Sequence, residues 1–194
     1  MEKLGDAAVR IPRPRGKSGA AIVEAVRAWP GVVDVALTER WIGVVFATAP
    51  HVTEENLSAL DALAGAETND RVHEIAVRYD GPDLADVASA TGLDASEVIA
   101  RHSRAEYMVL FLGFRPGFAY LGGLPRELEV PRLAAPRARV PKNAVAIAGP
   151  YAGVYPFESP GGWRVLGTAQ RVTLFDPARG ALLRPGDRVR FRVE

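Results

Sequence analysis

The 194-residue chain contains no cysteine, which excludes disulfides, thiolate nucleophiles and cysteine-based zinc sites together. The same absence fits a reducing compartment, and a cytoplasmic location is expected. Only three histidines occur, dispersed at 51, 73 and 102, so a histidine metal site is not expected. Charge of one sign is also lacking: 24 Lys and Arg face 23 Asp and Glu, a formal net of +1. A dedicated nucleic-acid binder is usually strongly basic on one face. No apolar run is long enough to span a bilayer, and MEKLGDAAVR has no stretch suited to a signal peptide. Neither nucleic acid nor membrane is an expected partner. The hydrophobic share, 48%, is ordinary for a soluble domain.

What is there is concentrated between Gly113 and Gly167. That stretch holds 8 of the 15 prolines and 9 of the 19 glycines, with seven Arg or Lys against three acids. Such composition usually marks a linker. Here Phe114, Phe118, Tyr120, Leu121, Val145, Ile147, Tyr155, Phe157 and Trp163 are threaded through it, and aromatics fix loops by burying large areas. The pattern reads as a rigid, arginine-lined binding surface, with a turn-rich barrel rim as the simpler alternative.

Before this stretch the chain alternates. Asp6–Ile11 reads as a strand, and Ser18–Trp29 as a helix with Ile22, Val26 and Trp29 on one face, stopped by Pro30-Gly31. Val32–Thr38 and Trp41–Thr48 read as strands joined at Glu39-Arg40. Thr53 caps a second helix whose Leu57, Leu60 and Ala64 face inward, ending at Gly65. Val72–Tyr79 alternates as a further strand. The order β-α-β-β-α-β predicts a ferredoxin-like α/β sandwich over residues 1–80. The turn cluster Tyr79–Asp83 is the expected boundary, and residues 81–194 form the second domain. That domain opens with two short helices, Leu84–Thr91 and Ala95–Ser103, the latter capped by Asp94 and Glu97. Short strands at Tyr107–Phe114, Val145–Ala148, Val154–Tyr155, Trp163–Leu166, Val172–Phe175 and Val189–Val193 then predict a barrel or sandwich, so the class is α+β. Pro185 and Gly186 sit where a type II turn wants them.

Several motifs carry candidate chemistry. Arg15-Gly16-Lys17-Ser18 is like the end of a phosphate loop, but Ile11 stands where that motif needs glycine, and Pro12 and Pro14 lack amide donors. Leu84–Ser103 is similar to a helix-turn-helix. Asp94 and Glu97 at the start of its second helix would repel DNA, so a packing pair is expected. His102, at the end of that helix, is a candidate acid or base, or else a residue compensating the helix dipole. Arg115-Pro116-Gly117 would present Arg115 at a barrel mouth on a sharp turn. Arg132, Arg137, Arg139 and Lys142 lie near prolines, and guanidiniums on stiff backbone suit carboxylate or phosphate recognition. Solvated surface charge is the plain alternative for each. Ser159-Pro160-Gly161-Gly162 reads as a second tight loop from which Ser159 could donate to a ligand. Arg132, Arg137, Lys142 and Ser159, with Pro116, Gly117, Tyr120, Tyr155 and Trp163, make up the expected substrate surface, and His102 and Arg115 are the expected catalytic residues.

GFRPGFAYLGGLP, the following Pro-Arg and Val-Pro elements, SPGGW, LFDP and LLRPGD together resemble a known family. It contains the B subunit of bacterial ATP-dependent 5-oxoprolinase, the sporulation-kinase inhibitor KipI, subunit 1 of allophanate hydrolase, and the carboxyltransferase region of urea carboxylases. The resemblance implies a cyclophilin-like C-terminal barrel. It implies a companion subunit of related barrel fold and, for a 5-oxoprolinase, a third and larger subunit. It also implies ATP as a reactant of the assembled complex and a carboxylate-bearing lactam as substrate. Three readings follow: a non-autonomous subunit of that hydrolase, a kinase-binding inhibitor, or a carboxyltransferase-type subunit. The chain departs from the expected pattern at Asn143-Ala144, Tyr151-Ala152 and Gly167-Thr168-Ala169, where Gly-Ser, Gln-Thr and Gly-Arg-Thr are usual, which leaves the exact substrate open.

Overall fold

The computed structural model describes residues 1–63, 65 and 71–194. They fall into two compact units, Met1–Asn69 and Asp70–Glu194.

The first unit runs β1 (Glu2–Lys3), β2 (Ala8–Pro12), α1 (Gly19–Arg27), β3 (Val32–Leu37), β4 (Trp41–Phe46) and α2 (Glu54–Ala62). The strands form one antiparallel sheet in the order β1-β2-β4-β3. Ser18 starts α1 by accepting from the Ala21 amide at 3.3 Å, and Ile22 and Val26 are buried, as the helical spacing predicts. Thr53 and Asn56 cap α2 reciprocally at 3.0 and 3.1 Å. Leu60 is buried and Leu57 half-buried. Ala64 lies outside the described residues. Gly65 does not cap the helix in a left-handed turn; it bridges to Lys17.

Two expectations need correction. In the predicted ferredoxin-like sandwich, strand 72–79 should lie beside β2. That edge is taken by β1, with Glu2 paired to Arg10 and Lys3 to Val9. The strand itself, β5 (Val72–Arg78), pairs in parallel with residues 188–193 and so belongs to the second unit. The boundary therefore precedes β5 and does not follow residue 80. A single strand with alternating burial carries no sign of which sheet it joins.

After β5 come α3 (Leu84–Thr91), α4 (Ala95–Arg104), β6 (Glu106–Leu112), β7 (Ala119–Gly122), a 3-10 turn at Arg126–Leu128, β8 (Arg137–Val140), β9 (Ala144–Ala148) and β10 (Tyr151–Val154). Then follow β11 (Ser159–Gly161), β12 (Arg164–Ala169), β13 (Phe175–Asp176), β14 (Gly180–Ala181) and β15 (Arg188–Val193). A closed barrel forms in the order β10-β7-β6-β15-β5-β12-β9, with β11-β8 and β13-β14 as separate ribbons. Closure leaves no unpaired sheet edge.

The fully buried β9 serves two layers. Val145 and Ile147 point into the main core with Tyr107, Val109, Leu121, Val189 and Phe191. Ala144, Ala146 and Ala148 point the other way, against Phe118, Val140, Tyr155 and Trp163. Alternate small residues let large aromatics approach the sheet closely. Val87, Ala88 and Val98 join the main core, so α3 and α4 are the expected packing pair, each buried on one face. Among the described residues no helix is long and apolar enough to cross a membrane.

Candidate functional site

The second layer holds Tyr155 and Trp163 of the expected substrate surface, with Tyr120 packed against it. The turn from β6 to β7 is closed by hydrogen bonds from the Gly113 amide to the Phe118 carbonyl at 3.1 Å and from the Phe118 amide to the Arg115 carbonyl at 3.0 Å. Gly117 has a φ of 80°, and a Cβ there would stand 2.7 Å from Phe175 Cβ and 2.8 Å from the Leu174 carbonyl. Only glycine fits both constraints. At the other end of the turn Phe114 holds a φ of 69°, which is uncommon for a bulky residue, while its ring is 55% exposed. The turn thus displays Phe114, Arg115 and Pro116 to solvent and buries Gly117 and Phe118.

Phe118 is the hub of an aromatic cluster. Its ring meets Trp163, Tyr155 and Tyr120 edge-on at 5.3, 5.3 and 5.2 Å, and Phe114 at 5.5 Å. Tyr120 also stacks on Phe111 at 4.4 Å and meets Tyr151 at 5.6 Å. Such pairs add to the area they bury and hold the rings in fixed orientations. Arg132 sits above this platform, its guanidinium 6.0 Å from the Trp163 ring. It is exposed and enters no ion pair among the described residues.

The two phenols differ in access. Tyr155 is buried, and a Cβ on Gly161 would lie 2.3 Å from its hydroxyl, so it is a wall of the site. Tyr120 is half-buried. Burial pushes both phenols above their ordinary range. The Arg132 charge opposes this at both, and at Tyr155 the Trp163 amide opposes it more strongly. Both are therefore neutral hydrogen-bonding groups at pH 7, and neither is a general base. A cation over an aromatic floor beside a neutral hydroxyl can hold a planar carboxylate attached to a small apolar ring.

Three expected site residues play other roles. His102 is fully buried, its ring stacked on Phe191 at 4.7 Å and its Nδ1 hydrogen bonded to the Tyr79 hydroxyl at 2.7 Å. Desolvation pushes its pKa down to about 3. It is a neutral core histidine with no path to a substrate, and Nε2 has no hydrogen-bond partner among the described residues. Arg137 is committed to Asp83 by two hydrogen bonds at 2.9 and 2.6 Å. Ser159 is buried in β11 and donates to the Phe157 carbonyl at 3.0 Å, so SPG is a strand and not a ligand loop. Lys142 is exposed and, like Arg115, forms no hydrogen bond or ion pair through its side chain among the described residues.

Asp83 was legible only as part of a turn cluster. Its carboxylate also accepts from the Val165 amide at 2.6 Å, so it joins the α3 entrance, β8 and β12. The departures noted in the sequence are absorbed into packing. Asn143 takes a left-handed φ of 65°, which explains why glycine is usual there. Ala144, Ala152 and Ala169 are buried, and the Thr168 hydroxyl donates to Asp80 at 3.0 Å. Among the described residues no cluster of three or more His, Asp or Glu is placed to hold a metal ion.

The model of the carboxyltransferase domain, subdomain C and D, matches residues 6–183. The chain is 53% identical over 130 residues to the 5-oxoprolinase B subunit of Escherichia coli O157:H7, covering 64% of this chain and 59% of that protein. It is 45% identical over 130 residues to the 5-oxoprolinase B subunit of Bacillus subtilis (strain 168), covering 64% and 54%. These matches span little more than half the length of the curated relatives. Among solved structures, TTHA0988 superposes with a TM-score of 0.80 at 40% identity, over 97% of this chain and 40% of that one.

Proposed function

The chain belongs to the family of the carboxyltransferase domain, subdomain C and D, and we propose that it is a subunit of an ATP-dependent 5-oxoprolinase. In this reading it acts only with companion subunits, one of related barrel fold and one larger, and the complex opens the lactam of 5-oxoproline to glutamate in the cytoplasm. The observation that carries the reading is the 53% identity to a 5-oxoprolinase B subunit. The barrel is assigned to the cyclophilin-like class on the same resemblance.

A lactam is a resonance-stabilised amide, and water does not open it at a useful rate unless the carbonyl is activated. In the proposed complex ATP supplies that activation as a co-substrate. The phosphate-loop-like turn of this chain does not fit such a role. Lys17 Nζ donates to the Leu63 carbonyl at 2.6 Å, and the Ser18 hydroxyl caps α1. The contribution assigned to this chain is binding. Arg132 holds the substrate carboxylate, Tyr120 donates a hydrogen bond, and the five-membered ring lies against the exposed Phe114 and the open side of Tyr120. Arg115 and Lys142 supply further positive charge around it, and Arg115 stands over developing negative charge at the reacting carbonyl.

The test is reconstitution. The chain, co-purified with its companion subunits, is assayed for glutamate formed from 5-oxoproline with and without ATP. ATP-dependent glutamate formation that requires this chain supports the reading. Equal turnover in its absence overturns it. The carboxyltransferase-type reading is compatible with the family description, and turnover of urea-like substrates in place of 5-oxoproline would favour it.

A further inference from the structure

Most arginines of the second unit are matched to carboxylates. Arg188 and Arg190 share Glu106, Arg192 pairs with Glu74, Arg78 with Asp80, Arg137 with Asp83, Arg164 with Asp86 and Arg171 with Glu194. Among those that are not, three converge. Arg71, Arg179 and Arg184 enter no ion pair among the described residues, and all three line one pocket of about 340 Å³ together with Thr173, Asp176 and Leu182.

The backbone that carries these guanidiniums is fixed. The ribbon β13-β14 pairs Phe175 with Ala181 and Asp176 with Gly180. Asp176 Oδ1 accepts from the amides of Ala178 and Arg179 at 2.8 and 3.1 Å, which sets the turn bearing Arg179 and partly satisfies the one carboxylate that lines the pocket among the described residues. Arg184 opens the tight turn before β15. Its amide donates to the buried carboxylate of Asp187 at 2.9 Å, and its carbonyl accepts from the Asp187 amide at 3.0 Å. The Arg71 carbonyl accepts from the Arg188 amide at 2.9 Å, tying the start of β5 to β15.

Three like charges lining one pocket repel one another, and a bound oxyanion relieves that repulsion. Guanidiniums present paired donors matched to phosphate oxygens. We propose that this pocket is a binding site for a phosphate group, distinct from the aromatic platform and independent of the function proposed above. Thr173 adds a hydroxyl donor, and the partly exposed Leu182 offers an apolar edge for the rest of a small phosphorylated molecule.

The test is calorimetric titration of the intact chain with inorganic phosphate at low salt, with acetate as control. Saturable binding is expected, weakened at least tenfold in both R179Q and R184Q and unchanged in R126Q, an exposed arginine of the 3-10 turn outside the pocket. The variants' melting temperatures without phosphate should match the parent's, because neither side chain makes a hydrogen bond or ion pair among the described residues. A parallel titration with glycerol 2-phosphate separates the sources. Tighter binding than phosphate assigns a phosphomonoester, and equal or weaker binding assigns free phosphate. Absence of saturable phosphate binding, equal binding by R179Q and R184Q, or acetate binding as tight as phosphate would overturn the proposal.

Discussion

Arg137 and Asp83 form a bidentate pair, 2.9 and 2.6 Å, in which the carboxylate is almost wholly buried and the guanidinium is about one third exposed. The pair fastens the ribbon strand β8 to the entrance of α3, and the Val165 amide adds β12 to the same carboxylate. The Asp83 hydrogen bond is also the largest cause holding the Arg137 pKa above its usual value. R137A leaves a buried carboxylate without its cation and should cost about 2–4 kcal/mol of unfolding free energy. Chemical denaturation of R137A and D83N measures this. A loss below about 0.5 kcal/mol in both would show that the pair does not anchor the ribbon.

Gly117 is confined by φ and by space together. In G117A the new Cβ meets Phe175 Cβ and the Leu174 carbonyl inside van der Waals contact. The left-handed backbone costs roughly 1–2 kcal/mol and the overpacking roughly 1–3 more. A drop of about 2–5 kcal/mol is expected in urea unfolding, with Phe114 and Arg115 displaced from their places on the turn.

His102 makes stability pH-dependent. Its folded pKa, about 3, lies below the ordinary histidine value of 6.5. The unfolded chain therefore binds a proton that the folded chain refuses. The contribution is fully present above the unfolded pKa and declines as pH falls, by up to about 1.4 kcal/mol per pH unit. Between pH 7 and 5 the fold should lose about 2 kcal/mol from this group. H102Q should flatten that slope, and a wild-type stability that is level from pH 7 to 5 would contradict the assignment.

Arg132 is exposed, so R132A should leave the melting temperature within about 2 °C of the parent while weakening function. In the reconstituted complex the loss should fall on KM for 5-oxoproline, about tenfold or more, with kcat changed less. R132K should recover only part, because an ammonium cannot bind a carboxylate bidentately. Unchanged kinetics in R132A would remove the carboxylate role.

Much of the second unit was legible because its signals are local. Pro185 and Gly186 specify a turn that the structure forms, with Gly186 at a φ of 92°. Asp94 and Glu97 specify a helix start. Phe114, Phe118, Tyr120, Tyr155 and Trp163 do gather in one cluster with Arg132 over the Trp163 ring, while Phe157 packs on Phe175. What was not legible depends on long-range pairing. β5 alternates like any half-buried strand, and nothing in Val72–Arg78 says that its partner lies more than a hundred residues later in β15. The same limit hid the sheet-edge role of β1, the ribbon formed by Ser159–Gly161, and the burial of His102. A histidine at a helix end looks equally ready for solvent or core until Tyr79, Tyr107 and Phe191 close around it. The pocket of Arg71, Arg179 and Arg184 combines residues from a strand start and two turns, and no spacing rule joins them.

Lactam hydrolysis is the function proposed for this chain. It is tested most directly by measuring intracellular 5-oxoproline in a strain lacking the gene, beside the same strain with the gene restored. Accumulation on deletion, reversal by the intact gene, and incomplete reversal by R132A are expected. A 5-oxoproline level unaffected by deletion, with the companion subunits expressed, would contradict it.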